Sequence, residues 1–120
     1  MHNTLNYCGR HLLPEIWTYK MESWLLDVQC ISNAMKKAAT MSGATILGDN
    51  WHTFGPGCGV TGVITLSESH MSIHTWPEYG YAAIDVFMCG ECDPQVACNF
   101  LKTQFKNNKT NEQMIVRGMF

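Results

Sequence analysis

The sequence predicts an α+β fold, a two-layer sandwich in which a largely antiparallel sheet carries two helices on one face. Strand-like runs fill most of the chain, and two stretches repeat apolar residues at helical spacing. Their order, strand, helix, several strands, helix, places both helices on the same side of one sheet. With 120 residues, the chain reads as one domain (1–120) with a single core, of a size at which a dimer interface would add stability.

The elements follow in turn. "RHLLPEIWTY" reads as a first strand, in which Pro14 lacks a backbone donor and so points to an edge or a bulge. Between Trp24 and Met41, apolar Leu25, Val28, Ile31, Met35 and Ala38 recur at helical spacing, and Gly43 is placed for a left-handed stop. "GATILGDNWHTF" reads as a second strand. "VTGVITLSESHMSIHTW" reads as a third, with Val63, Met71, Ile73 and Thr75 on one side and His70, Ser72, His74 and Trp76 on the other. "YAAIDVFMCG" is a fourth strand. In "ECDPQVACNFLKTQFKNN", Asp93 is an N-cap, Pro94 suits the first turn, and Val96, Ala97, Phe100, Leu101 and Phe105 form one stripe. "EQMIVRGMF" closes the chain as a short strand or an ordered tail.

Charge and composition narrow the function classes. Formal net charge is -2 and no block of Lys or Arg stands out, so neither a nucleic acid nor an anionic membrane is expected as partner. A small molecule fits better. No apolar run approaches the roughly 20 residues of a membrane span, and "MHNTLNYCGRH" lacks the layout of an export signal, so a soluble cytoplasmic protein is expected. In that compartment most of the six cysteines, Cys8, Cys30, Cys58, Cys89, Cys92 and Cys98, are expected as free thiols.

Reactive side chains concentrate between Leu66 and Gly90, in "LSESHMSIHTWPEYGYAAIDVFMCG". A zinc site is one reading, since His70 and His74 with Cys89 and Cys92 have spacings that zinc sites use. Strand geometry opposes it. At roughly 3.3 Å per residue, the two histidines sit about 13 Å apart, beyond one tetrahedral ion. A blander reading makes the histidines hydrogen-bonded strand residues and Cys89 a small buried hydrophobe. On spacing alone, both stay open.

The run "SESHMSIHTWPEYGYAAIDVFMCGE", preceded by "GVTGVITL" and upstream by "GRHLL" and "KKAATMSGATIL", resembles the prokaryotic S-adenosylmethionine decarboxylase proenzymes. The similarity runs in the same order from Gly9 to about Arg117. It implies a chain that cuts itself between Glu68 and Ser69, into 1–68 and 69–120. The Ser69 hydroxyl would attack the Glu68 carbonyl to form an ester, and β-elimination would leave dehydroalanine. Hydrolysis of that residue would yield a covalent pyruvoyl cofactor, an electron sink for decarboxylation that elsewhere pyridoxal phosphate supplies.

The same resemblance implies roles for the neighbours. His74 matches the histidine that assists self-cleavage as acid or base, and Cys89 the cysteine that returns a proton to the substrate α-carbon. Thr61 lies where relatives carry a serine hydroxyl that supports processing. Glu78 matches the carboxylate that holds the ribose hydroxyls, and Phe54 and Trp76 are candidates for stacking on adenine. The resemblance assigns no metal and implies a homodimer of processed protomers that takes S-adenosylmethionine. Ser67 and His70 are assigned no step. Alternatives are an arginine or ornithine decarboxylase built on the same machinery, and a non-catalytic homologue that only binds.

Three departures from the family pattern bear on these roles. "FGPGCGVTG" has one residue more between Phe54 and Thr61 than the usual F-x-P-x-G-V-S-G, which bears on where Phe54 stands. Pro14 interrupts the first strand. The chain also ends at Phe120, where many relatives run on.

Overall fold

Asp27 sets the start of the longer helix. Its side chain accepts the Cys30 backbone N–H at 3.0 Å, so α1 runs Val28–Met41, and a separate 3₁₀ turn, Ser23–Leu26, precedes it. The helical spacing read across Trp24 to Met41 therefore spans two elements. Gly43 ends α1 at φ 88°, as expected of a left-handed stop. Helix α2, Pro94–Gln104, starts at Asp93, whose side chain accepts the Gln95 N–H, with Pro94 in the first turn.

This is a computed structural model, and it describes residues 6–120. The first five residues, part of the stretch read for an export signal, lie outside the described residues. Six strands form one sheet: β1 Gly9–Trp17, β2 Ile46–Thr53, β3 Val60–Leu66, β4 Ser69–Trp76, β5 Tyr81–Cys89 and β6 Lys109–Arg117. Their order is β2-β3-β4-β5-β1-β6, and every neighbouring pair is antiparallel.

Two strand expectations are corrected. The run read as a third strand is a hairpin, in which Ser67 and Glu68 turn the chain and Val63 faces Ser72 across β3 and β4. Reversal puts Val63 on the side of Ser72, not of Met71, and leaves it 43 % exposed. Hydrophobic alternation continues through a two-residue turn, so periodicity alone did not reveal the break. Strand β1 is interior, not an edge, because β6 pairs along its whole length. The ladder to β5 skips Leu13 and Pro14 without shifting register, which accommodates the missing proline donor.

Alternation along the strands gives the sheet two unlike faces. Val60, Ile64, Met71, Ile73, Ile84, Val86 and Met88 point one way and pack under Ile31, Met35 and Ala38 of α1 and Ala97 and Leu101 of α2. Trp24 stacks on Phe105 at 4.2 Å and donates its indole N–H to the Lys106 carbonyl, closing one end of the layer. His11, Ser72, His74, Trp76, Asp85 and Phe87 have the opposite parity and are only partly buried. Both helices cover the first face. Among the described residues, no helix is long and apolar enough to cross a membrane.

Thr75 is the polar exception within the core, 2 % exposed, and it ties three segments together. Its hydroxyl accepts the Val60 N–H and donates to the Leu25 carbonyl, both at 2.8 Å. Thr75→Val keeps the volume but strands two buried backbone groups, so unfolding in urea should show a loss of about 2 kcal/mol or more.

Candidate active site

The turn between β3 and β4 is held at several points. Ser67 N–H donates to the Thr45 carbonyl at 3.0 Å, and the Glu68 carboxylate accepts the Thr45 N–H at 2.9 Å. Hydrogen bonds from the Ser67 side chain first, and then from Thr45, hold the Glu68 carboxyl below its usual pKa. Ser69 begins β4 at φ 148°, a backbone conformation that residues with a side chain rarely adopt.

The end of β5 lies against this turn. Cys89 directs two donors at the Glu68 carbonyl oxygen, its backbone N–H at 3.1 Å and its thiol at 2.6 Å. The Ser69 hydroxyl stands 3.5 Å from the Cys89 sulfur. The Glu68–Ser69 peptide is thus strained on its serine side and polarised on its glutamate side. Sequence reasoning missed the contact to the Glu68 carbonyl, because a backbone oxygen carries no residue signature.

A second group gathers at the other end of β4. The Thr61 hydroxyl lies 3.0 Å from His74 Nδ1, and the Trp76 ring stacks on His74 with centroids 4.3 Å apart. Phe54, His74, Trp76 and Glu78, with the Gly57–Gly59 loop along one side, line an open cavity of about 460 Å³. The extra residue before Thr61 falls in the stretch 55–59 that contains this loop, and the Phe54 ring lies 6.4 Å from His74. Phe54 is 56 % exposed, whereas Trp76 has His74 on one side and Tyr81 at 5.4 Å.

The structure therefore brings Glu68, Ser69 and Cys89 together, and separately Phe54, Thr61, His74, Trp76 and Glu78. It does not join the two groups within one chain. Ser69 and His74 are five residues apart on β4, about 16 Å at the usual strand rise. Within one chain that distance keeps the His74 ring away from the Ser69 hydroxyl. A strand cannot fold back over five residues.

His70 and His74 are likewise four residues apart on β4, and Cys92 is buried in the turn after β5. All six cysteines are free thiols. Burial pushes the Cys98 thiol up to about 12, so it belongs to the helix packing.

A family model described as S-adenosylmethionine decarboxylase matches residues 10–118. The chain belongs to that family. Among its relatives, the S-adenosylmethionine decarboxylase proenzyme of Thermotoga petrophila is 49% identical over 114 residues, covering 93% of this chain and 85% of that one. The proenzyme of Fervidobacterium nodosum is 45% identical over 114 residues, covering 93% and 81%. The crystal structure of the adenosylmethionine decarboxylase from Aquifex aeolicus is similar with a TM-score of 0.83 and 32% identity, over 97% of this chain and 95% of that one. The α+β sandwich and the family resemblance read in the sequence agree with these matches.

Between the two groups the open face carries polar contacts that the sequence left without roles. Asp85 holds His11 Nε2 at 3.0 Å and the Ser72 hydroxyl at 2.9 Å, and the Tyr81 hydroxyl donates to Glu15, which also accepts from Asn111. A lone carboxylate in "AAIDVF" was the available signal for the first cluster. Burial first, then the Glu15 hydrogen bond, pushes the Tyr81 hydroxyl up to about 12, while the bond from Tyr81 holds the Glu15 carboxyl low. A carboxyl lowered by folding adds stability above its unfolded pKa and loses it as pH falls through the folded one. Tyr81→Phe should therefore cost stability at pH 7, under about 1 kcal/mol for so solvated a carboxylate, and the difference should shrink as pH falls through the lowered Glu15 pKa in urea titrations.

Proposed function

We propose that the chain is a self-processing, pyruvoyl-dependent decarboxylase. It converts S-adenosylmethionine to its decarboxylated form, the aminopropyl donor for spermidine. The observation that carries this reading is the Glu68 carbonyl held by two Cys89 donors beside the Ser69 hydroxyl.

Attack by Ser69 Oγ on that carbonyl breaks the bond to the Ser69 nitrogen and forms an ester. Negative charge builds on the Glu68 oxygen during the attack, where the Cys89 N–H and thiol already point. Strain at Ser69 is relieved when the peptide opens, and it favours the cut between 1–68 and 69–120. The pyruvoyl group that results supplies the ketone that draws off the electron pair left by departing carbon dioxide. Cys89, beside that position, is the group that hands a proton to the substrate α-carbon.

The second group of residues binds and orients. Phe54, with its ring largely free, takes the adenine. Trp76, stacked on His74, and Thr61, bonded to Nδ1, hold the imidazole for proton transfer at Ser69. Glu78 accepts from the ribose hydroxyls. The distance between Ser69 and His74 supports a site shared by two copies, in which one protomer supplies Ser69 and Cys89 and its partner supplies the rest. The assembly is a homodimer of processed protomers working in the cytoplasm.

Intact-mass analysis of the purified protein should show two fragments split between Glu68 and Ser69, the second reactive toward carbonyl reagents. Ser69→Ala should stay one chain. A wild-type chain that remains whole after prolonged reducing incubation would instead fit a non-catalytic homologue. Release of carbon dioxide from arginine or ornithine, and not from S-adenosylmethionine, would assign the substrate to the alternative class.

The roles of Cys89 and His74 separate in kinetics. Cys89→Ala should cleave slowly and, once cleaved, turn over on the order of 10²-fold more slowly. His74→Ala should fail mainly at cleavage, and co-expression with Ser69→Ala should restore cleavage of the His74→Ala chain. If co-expression restores nothing while both variants fold and dimerise, the shared site is wrong.

A further inference from the structure

A Cys-x-x-Cys spacing, Cys89 to Cys92, closes β5, and the mechanism uses only its first thiol. We propose that the two cysteines form a reversible redox pair, in which a low-molecular-weight disulfide drives closure of a Cys89–Cys92 bond that switches the site off. The proposal rests on the role of Cys89 given above and adds its regulation.

The chain brings the pair together locally. β5 ends at Cys89, and Gly90 and Glu91 form a turn that leads to Cys92, directly before the Asp93 cap of α2. A turn of this length holds its end Cα atoms within roughly 7 Å, and a disulfide spans about 4.4–6.8 Å between Cα atoms. Gly90 takes the left-handed conformation at φ 67°, with nothing within 4 Å of where a Cβ would stand. Both turn residues are exposed, so the turn has room to tighten. Its ends are anchored, Cys89 N–H on the Glu68 carbonyl and Asp93 N–H on the Ser42 carbonyl, each at 3.1 Å.

The two thiols differ as an attacking and a resolving thiol do. Cys89 is half-buried beside the Ser69 hydroxyl, whereas Cys92 is 7 % exposed and belongs to the core. Burial first, and then the charges of Glu68 and Cys89, pushes the Cys92 thiol up, so Cys92 does not start the exchange. The Cys89 thiolate attacks one sulfur of the small disulfide, whose S–S bond breaks, and the departing thiolate takes up a proton. Cys92 then releases its proton to solvent and attacks the Cys89 sulfur. The mixed disulfide breaks and a second small thiol leaves. Two protein thiols are oxidised, and one small disulfide is reduced to two thiols.

Closure takes the thiol hydrogen away from the Glu68 carbonyl, 2.6 Å from the Cys89 sulfur, and leaves the Cys89 N–H alone of the two donors. An uncut chain loses half of its polarisation for self-cleavage. A cut chain loses the proton destined for the substrate α-carbon. Reduction of the bond restores both.

The test reads masses as well as turnover. Protein purified reduced and then treated with glutathione disulfide should give a 69–120 fragment lighter by two hydrogens. Digestion after Glu91, which separates the two cysteines, should leave their peptides joined. Carbon dioxide release should fall on the order of tenfold or more and return with dithiothreitol. Cys92→Ser should turn over normally when reduced, and the same treatment should leave it with a stable glutathione on Cys89. If Cys92→Ser does not fold, the wild-type link map decides alone. A wild type that keeps Cys92 as a thiol, or that links Cys89 to another cysteine, overturns the pair. A Cys89–Cys92 link with turnover unchanged overturns the switch. The uncut Ser69→Ala chain should form the same link, so a missing link there tells against the pair, while a wild type that never cleaves tells against the decarboxylase reading.

Discussion

The whole arrangement depends on one constraint: only one face of the sheet is covered. Because side chains alternate along a strand, every apolar residue that β3, β4 and β5 send under α1 and α2 sends its neighbour to the opposite face. The reactive residues are those neighbours. His74 is fixed in place because Ile73 and Thr75 are buried on either side of it, and Asp85 because Ile84 and Val86 are. A one-residue slip of β4 would exchange the core set for the site set, so hydrophobic packing holds the register of the chemistry.

The scissile position escapes this regularity, and that is where its reactivity originates. Ser67 and Glu68 belong to a turn pinned to residue 45, while Ser69 must enter β4 in register with Met88. With both demands met, Ser69 sits at φ 148°. The last residue of β5, Cys89, then falls opposite the Glu68 carbonyl and supplies two donors from one residue. Strain and polarisation meet at one peptide bond because a tight hairpin and a neighbouring strand end at the same level of the sheet.

Much of the architecture was legible in the residues. The two helices, their Asp27 or Asp93 caps and the left-handed Gly43 are governed by local physics, and Asp93, Pro94 and Gly43 were readable directly. Asp27 was not, because the apolar stripe runs unbroken across it through Leu25 and Val28 and hides the break between the 3₁₀ turn and α1. The hairpin at Ser67 was hidden for a related reason: the turn holds serine, a weaker turn former, and no Gly, Asn, Asp or Pro. Pro14 suggested an edge, but the final strand returned to cover it.

The sequence by itself determined the fold class, the alternation that sorts core from site, and the family through a motif more than twenty residues long. Only the tertiary structure decided which of the motif residues meet. Ser69 and Cys89, 20 residues apart in the chain, touch because β4 and β5 are adjacent. Ser69 and His74, five residues apart, do not, because an extended strand holds near neighbours in sequence farther apart than cross-strand partners.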